Sequence, residues 1–131
     1  MKVSFHPVID WDNHEHPGDL DFGIYRSSGR SFGRFIWGNT GLISILGYED
    51  LADLQGVPIR ELFIKPKKRE ALLEELQEKK FVKNRLLTLR RKDGKPVTVS
   101  VTALAEFDEK GQIQFINGLV QEIGEKSKAD S

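Results

Sequence analysis

The stretch that decides the fold is residues 81–123, FVKNRLLTLRRKDGKPVTVSVTALAEFDEKGQIQFINGLVQEI. It contains three apolar-patterned runs, separated by RKDG at residues 91–94 and DEKG at residues 108–111. A glycine ends each of these short segments, and glycine adopts the positive φ of a tight reversal without a steric penalty. The stretch therefore predicts an antiparallel three-stranded meander.

Alternation within the meander assigns its side chains to two faces, because successive residues of a strand point to opposite sides. In the second run the odd positions are apolar, which predicts that they face the helices: Val97, Val99, Val101, Ala103 and Ala105. In the third run the alternation places Ile116, Gly118 and Val120 on one face and Phe115, Leu119 and Ile123 on the other. Since both faces are partly apolar, we expect the outer face to be covered by a second copy of the chain or by the N-terminal segment.

The residues before the meander predict the rest of an α+β fold. Residues 22–27 and 31–37 form a β-type pair, and three short helical pieces follow between residues 40 and 63. Pro66 begins the one long helix, to about residue 79, with an apolar stripe of Leu72, Leu73 and Leu76. The prediction is a five-stranded antiparallel sheet with helices packed on one face. Phe35, Trp37 and the helix leucines are expected to fill the interior.

Length and composition set further limits. A chain of 131 residues forms one domain, and 20 basic against 20 acidic residues give it no general attraction for nucleic acid or anionic membranes. The absence of Cys excludes disulfides, thiolate nucleophiles and Cys-ligated metals. No apolar run reaches the length of a membrane span, which predicts a cytoplasmic protein without membrane insertion. We expect residues 1–21 to be a flanking segment or lid, residues 22–125 the domain, and residues 126–131 a polar tail or junction.

Candidate sites for catalysis, metal or nucleic acid are weak. The predicted inward positions include no Ser/His/Asp set and no paired carboxylates, so we expect no enzyme activity. His14 and His16 lie close together but lack a third ligand nearby, so no metal site is predicted. Basic residues along one hairpin are not interleaved with aromatic residues, which disfavours nucleic acid: Lys83, Arg85, Arg90, Arg91 and Lys92.

Several short phrases, in their order along the chain, resemble those of the PAS domain family. They are WGN at 37–39, LGY at 46–48, QG at 55–56, LRRKDG at 89–94, and ING at 116–118 followed by EI at 122–123. The resemblance covers residues 22–125. It implies a sensory or protein-interaction module of a bacterial signal-transduction protein, without catalysis of its own. It also implies an output domain in the same polypeptide, such as a histidine kinase or cyclase.

The resemblance also leads to expectations about cofactors. Light-oxygen-voltage members of the family form a flavin adduct through a Cys, and Ile59 stands at that place here. They hold the flavin through amides, where this chain has Val99 and Val120; haem-binding members use a His on the long helix, which residues 66–79 lack. The prediction is an interior without a cofactor, with flavin and haem disfavoured. Ser44 or Arg60 would supply too few donors for an anion site.

The sequence thus predicts a well-packed core, with a small apolar ligand as the alternative. The predicted ligand lining is Ile45, Ile59, Val99, Val101, Ile116 and Val120. We expect a homodimer interface at Phe115, Leu119 and Ile123 on the outer face. The signal exit is predicted at Glu122 and Gly124, where the glycine lacks the hydroxyl that the family usually places at the second of these positions.

Overall fold

A computed structural model describes residues 22–29 and 33–123. Its strands are β1 (Phe22–Ser28), β2 (Phe35–Gly38), β3 (Phe81–Arg90), β4 (Pro96–Phe107) and β5 (Ile113–Glu122). Its helices are α1 (Thr40–Leu46), α2 (Leu51–Gln55), a 3-10 helix (Ile59–Leu62) and α3 (Pro66–Lys79). The flanking segments 1–21 and 126–131, the histidine pair at 14 and 16, and Gly124 lie outside the described residues.

The strands of the described residues form one antiparallel sheet in the order β2-β1-β5-β4-β3. The predicted meander is present, and both of its turn glycines, Gly94 and Gly111, have positive φ, at 92° and 81°. All five odd positions of β4 from Val97 to Ala105 are buried. The predicted α+β fold with a five-stranded sheet is therefore confirmed.

The core lies between the helices and one face of the sheet. The long helix α3 has the predicted bounds and buries Leu72 and Leu76 completely or nearly so, while Leu73 is partly buried. The shorter helix α1 adds three buried apolar side chains, Leu42, Ile45 and Leu46. These helices are too short to be stable alone, so their stability comes from this packing. Among the described residues, no helix has the length and apolar character needed to cross a membrane.

One side chain was assigned to the wrong layer by the sequence prediction. Trp37 was expected to fill the interior with Phe35, but it is 45% exposed and lies on the outer face, opposite Arg26. The cause is a bulge in the β1–β2 pairing between Arg26 and Ser27, which lets Phe35 point inward and Trp37 outward. An extra residue in a strand reverses the alternation of faces, and no local pattern in residues 31–37 indicates the bulge.

Asn39 holds the first helix against the centre of the sheet. Its side-chain oxygen Oδ1 accepts the backbone N–H groups of Leu42 and Ile24, both at 3.0 Å, and its own N–H donates to the Ile24 carbonyl at 3.1 Å. The first of these bonds caps α1, and the other two attach it to β1. Because Asn39 is 7% exposed, water cannot readily replace these contacts.

We predict that Asn39→Ala lowers the free energy of unfolding by about 2 to 4 kcal/mol, since it removes a cap and leaves a second donor without its acceptor. Asn39→Asp is the matched control because it keeps an acceptor at the helix N-terminus, and its cost should stay within about 1 kcal/mol. Urea unfolding followed by circular dichroism measures both. Equal losses for the two variants would contradict this role of the Oδ1 atom.

Candidate functional site

An interior cavity of about 60 Å³ lies between the helices and the sheet. Four of the six residues predicted to line a ligand site contact it: Ile59, Val101, Ile116 and Val120. The other two, Ile45 and Val99, are fully buried in the core but do not reach the cavity. Leucines of the helices and of β3, together with Phe35 of β2 and Phe63, complete its apolar wall.

Tyr25 is the largest polar side chain at this cavity. Its ring packs edge-on against Phe35, with 5.3 Å between ring centroids and 86° between planes. It also covers Gly118 on the neighbouring strand, where any Cβ would collide with the ring. Burial raises the pKa of the Tyr25 hydroxyl to about 12, so it remains a protonated donor near neutral pH. The hydroxyls of Ser27 and Ser28 line the same cavity.

Arg69 is the lining residue that sequence reasoning missed. It is half-buried on α3 and, among the described residues that line the cavity, it alone carries a charge. Desolvation by burial, and to a lesser degree the positive charge of Arg60, lower the pKa of Arg69. Its spacing could have identified it, because residues three and four before Leu72 and Leu73 share their helix face.

The outer face of the sheet carries a groove of about 710 Å³. Four large apolar side chains in its wall are about half exposed: Trp37, Phe81, Leu104 and Leu119. Of the three predicted interface residues, Leu119 is 42% exposed and lines the groove, whereas Phe115 and Ile123 are half-buried and do not. The Arg26 guanidinium lies 4.2 Å from the centre of the Phe115 ring and covers it.

Arg26 is also the centre of a hydrogen-bonded cluster on this face. Its Nη1 donates to Glu106 Oε2 at 2.7 Å and to Asn117 Oδ1 at 2.8 Å. Asn117 Nδ2 donates to the same Glu106 oxygen at 2.7 Å, so the cluster connects β1, β4 and β5. The hydrogen bond from Arg26, followed by that from Asn117, lowers the pKa of the Glu106 carboxyl. We call these three residues the Arg26 cluster.

A third concavity, of about 540 Å³, lies beside the β3–β4 turn and includes the predicted basic residues Arg90, Arg91 and Lys92. Lys92 Nζ donates to Asp53 at 2.7 Å, and Arg90 donates to the Glu61 carbonyl at 3.0 Å. The hydrogen bond from Lys92 lowers the pKa of Asp53. At least part of this basic hairpin is therefore engaged within the chain.

The Arg26 cluster predicts a pH dependence of stability. Glu106 has a folded-state pKa below its ordinary value of 4.5, so its contribution is present above that value and lost as the pH falls through the folded pKa. We expect Glu106→Gln to be less stable than the natural chain at pH 7, and the difference to shrink toward pH 3. Urea titrations at several pH values measure this. Glu109→Gln, in the exposed β4–β5 turn, is the control, and a difference for Glu106→Gln that stays constant with pH would contradict the prediction.

Solved structures with the same fold are similar to this chain at low sequence identity. A light-oxygen-voltage domain studied with a flavin analogue has a TM-score of 0.65 and 19% identity, covering 86% of this chain and 85% of that one. The PAS domain of a protein from Colwellia psychrerythraea has a TM-score of 0.63 and 18% identity, covering 81% and 92%. The blue-light activated histidine kinase EL346 of Erythrobacter litoralis has a TM-score of 0.65 and 18% identity, covering 82% of this chain but 35% of the kinase. A comparison with curated proteins found no match.

The prediction of an interior without a cofactor, with flavin and haem disfavoured, is wrong. Two of these similar structures are a light-oxygen-voltage domain described with a flavin analogue and a blue-light activated kinase. The prediction relied on side chains at Ile59, Val99 and Val120, and single positions do not decide what a shared fold can hold. The described cavity of about 60 Å³ is below the ~300 Å³ at which ligand sites usually begin, so a flavin ring would require the helices to move outward.

The fold and the sequence agree on the family of this chain. Residues 22–29 and 33–123 form a sheet in the order β2-β1-β5-β4-β3, with the helices on one face and the interior cavity between the two layers. A family model described as PAS domain matches residues 28–125, which is most of the chain. This chain belongs to the PAS domain family and is a sensory domain.

Proposed function

We propose that this PAS domain is a signalling module of a bacterial sensor protein, that it dimerises through the outer face of its sheet, and that it passes a signal to an output domain of the same polypeptide. The observation that carries the proposal is the exposed apolar groove on that face. The signal would leave the domain toward the output domain at Glu122, at the end of β5, and at Gly124.

The groove exposes more large apolar side chains than the surface of a monomeric protein usually does. Trp37, Phe81, Leu104 and Leu119 are 45%, 53%, 56% and 42% exposed and belong to four strands of one face. Contiguous apolar surface of this kind usually marks an interaction site, because covering it removes apolar area from water. A symmetric dimer would bring two such patches together in one step.

The charge on this face also suits contact between two identical copies. Arg26 is paired with Glu106 inside the chain, so its charge is balanced before any partner arrives. Like charges that meet across a symmetric interface oppose association, and this internal pair lessens that cost. Lys83 is a second cation in the groove wall, which also contains the neutral polar residues Asn117 and Thr102. Its long side chain can keep the ammonium group hydrated at the rim.

Strand β5 offers a physical link between the cavity and this face. Ile116 and Val120 line the cavity on its inner side, while Asn117 and Leu119 line the groove on its outer side. The strand then ends at Glu122, and the next N–H, of Ile123, donates to the Thr98 carbonyl at 2.9 Å. A shift of β5 would therefore alter the cavity, the groove and the exit together.

We predict that Leu104→Asp and Leu119→Asp each convert a dimer into a monomer in sedimentation velocity, since each places a charge in the apolar contact. Ala71→Asp is the control: Ala71 is exposed on α3, on the helical side of the sheet, and does not line the groove, so its variant should remain dimeric. Retention of the dimer by both groove variants would exclude this face. A natural chain that is monomeric at every concentration tested would also contradict the proposal, and would favour coverage of the face by residues 1–21.

A second candidate is a flavin-dependent sensor, which is favoured by the similarity to the light-oxygen-voltage domain and the blue-light activated kinase. The chain has no Cys, so a thiol adduct cannot form, and any response would use the ring and its hydrogen bonds alone. We expect such a protein to show the visible absorption of flavin after purification or after incubation with flavin mononucleotide. Absence of flavin absorption under both conditions would exclude this candidate.

A further inference from the structure

The charges of this chain are distributed unevenly along its sequence. Residues 1–21 hold five of the 20 acidic residues but one of the 20 basic ones, so residues 22–131 hold 15 acidic and 19 basic residues. We call residues 1–21 the acidic segment. Residues 8–12 within it, VIDWD, combine three apolar side chains with two carboxylates. Such a segment is complementary to a surface that offers both apolar contact and positive charge.

The concavity of about 540 Å³ beside the β3–β4 turn is a surface of this kind, and we call it the basic cleft. Its charged lining consists of four cations and one carboxylate: Arg60, Arg90, Arg91, Lys92 and Glu61. Half-buried apolar and aromatic side chains also line it: Tyr48, Val57 and Ile64. The cleft therefore offers positive charge next to apolar surface.

One contact within the chain offsets part of this charge. Lys92 donates to the Asp53 carboxylate at 2.7 Å. Arg90 donates instead to the main-chain carbonyl of Glu61 at 3.0 Å, and this carbonyl carries no net charge. The lining contains three more cations than carboxylates, so the Lys92–Asp53 pair leaves it positive. The two carboxylates of residues 8–12 would bring the cleft closer to neutrality.

Helix α3 adds positive charge at the rim of the cleft. It begins at Pro66 in the cleft wall, next to the exposed Lys65 and Lys67, and its first turn has no acidic residue. The N-terminus of a helix also carries a positive partial charge. Burial, followed by the positive charge of Arg60, lowers the pKa of Arg69 on the same helix. A carboxylate that approaches this end of the domain therefore reduces repulsion among its cations.

The acidic segment joins the fold at the end of the sheet that carries the basic cleft. β1 begins at Phe22, and pairing across β5 and β4 places this residue level with Leu86 of β3. Three strand spacings, about 14 Å, separate these two residues, and four residues along β3, about 13 Å, lead from Leu86 to Arg90. The resulting distance of about 20 Å requires about six extended residues. Nine residues lie between Asp12 and Phe22, so residues 8–12 can reach the cleft.

We propose that the acidic segment docks into the basic cleft of its own chain, with the carboxylates of Asp10 and Asp12 toward the arginines and Trp11 against the apolar surface. Because the segment is tethered, its effective concentration at the cleft is on the order of millimolar, and weak contacts suffice. This inference goes beyond the proposed function, since the cleft and the outer-face groove share no residue among those described. Leu62 and Phe63 line both the cleft and the interior cavity, so a docked segment would lie beside the cavity wall.

Fluorescence of Trp11 tests this contact in the full chain. Trp37→Phe leaves Trp11 as the single tryptophan, and a synthetic peptide of residues 1–21 gives the emission of the free segment. We expect Trp11 to emit at a shorter wavelength in the chain than in the peptide, because docking removes the indole from water. Arg91→Glu should return the emission to that of the peptide. Lys110→Glu, the same change of charge in the exposed β4–β5 turn, is the matched control and should leave the emission unchanged.

The carboxylates are tested from the side of the segment. Asp10→Asn together with Asp12→Asn should lengthen the emission wavelength as Arg91→Glu does. Adding Arg91→Glu to this pair should cause little further change, because all three act on the same contact. Identical emission from the chain and the peptide, or an emission that none of these variants shifts, would overturn the proposal.

Disulfide trapping locates the segment without a change of charge, and it applies even if Arg91→Glu does not fold. Since the natural chain has no Cys, two introduced thiols can pair only with each other. Trp11→Cys with Ile64→Cys joins the segment to the cleft. Trp11→Cys with Leu86→Cys is the control, because Leu86 is 63% exposed and level with the start of β1 but lies outside the cleft. In dilute protein with oxidised glutathione, the cleft pair should close faster, as measured by intact mass. Equal or slower closure, or links between chains alone, would overturn the proposal.

The outcomes separate this inference from the proposed function. The Leu104→Asp and Leu119→Asp dimer tests change neither the cleft nor the acidic segment. A groove-dependent dimer whose Trp11 emission matches that of the peptide would overturn the docked segment alone. A monomer in which Arg91→Glu releases Trp11 would support the docked segment and contradict dimerisation alone.

Discussion

Two positions without side chains, Gly23 and Gly118, allow the layers of this domain to meet. A Cβ on Gly23 would lie 2.6 Å from the Leu42 Cα, inside helix α1, and a Cβ on Gly118 would collide with the ring of Tyr25. Both glycines belong to the central strands β1 and β5. Any larger residue at Gly23 would push α1 outward together with Leu42, which is 1% exposed. The close approach also brings Asn39 near enough to β1 for its two shared hydrogen bonds, so packing and polar contacts depend on the same constraint.

The same close approach places the central strands directly at the wall of the cavity. Tyr25 rests directly on Gly118 with no side chain between them, and it also contributes to the cavity wall. A ligand that displaces this ring acts on the backbone of β1 and β5 at once, because the two residues are paired across the strands. Their immediate neighbours, Arg26 and Leu119, lie on the groove side. A displacement of Tyr25 inside the domain would therefore reach the outer face through a single layer, the sheet.

The structure could be predicted from the sequence where a local pattern determines it. The alternation of β4 and the Pro66 start of α3 were both correct, since periodicity and proline geometry act within a few residues. The prediction failed where distant residues decide. Trp37 lies outside because of a bulge in the pairing of β1 with β2, and Phe115 is covered by Arg26 from 89 positions earlier in the chain. Arg69 lines the cavity because its long side chain on α3 reaches beyond the position of its own backbone, and the predicted apolar stripe did not include it.

Two arginines show how one residue type takes opposite roles on the two sides of the sheet. On the outer face, the hydrogen bond to Glu106 raises the pKa of Arg26, and the carboxylate balances its charge. That face can therefore meet another apolar surface at a lower electrostatic cost than an unpaired charge would impose. On the inner side, burial and the charge of Arg60 lower the pKa of Arg69, so the guanidinium is held in a place that disfavours its charge. The same residue type is thus balanced by a carboxylate on one side of the sheet and partly desolvated on the other.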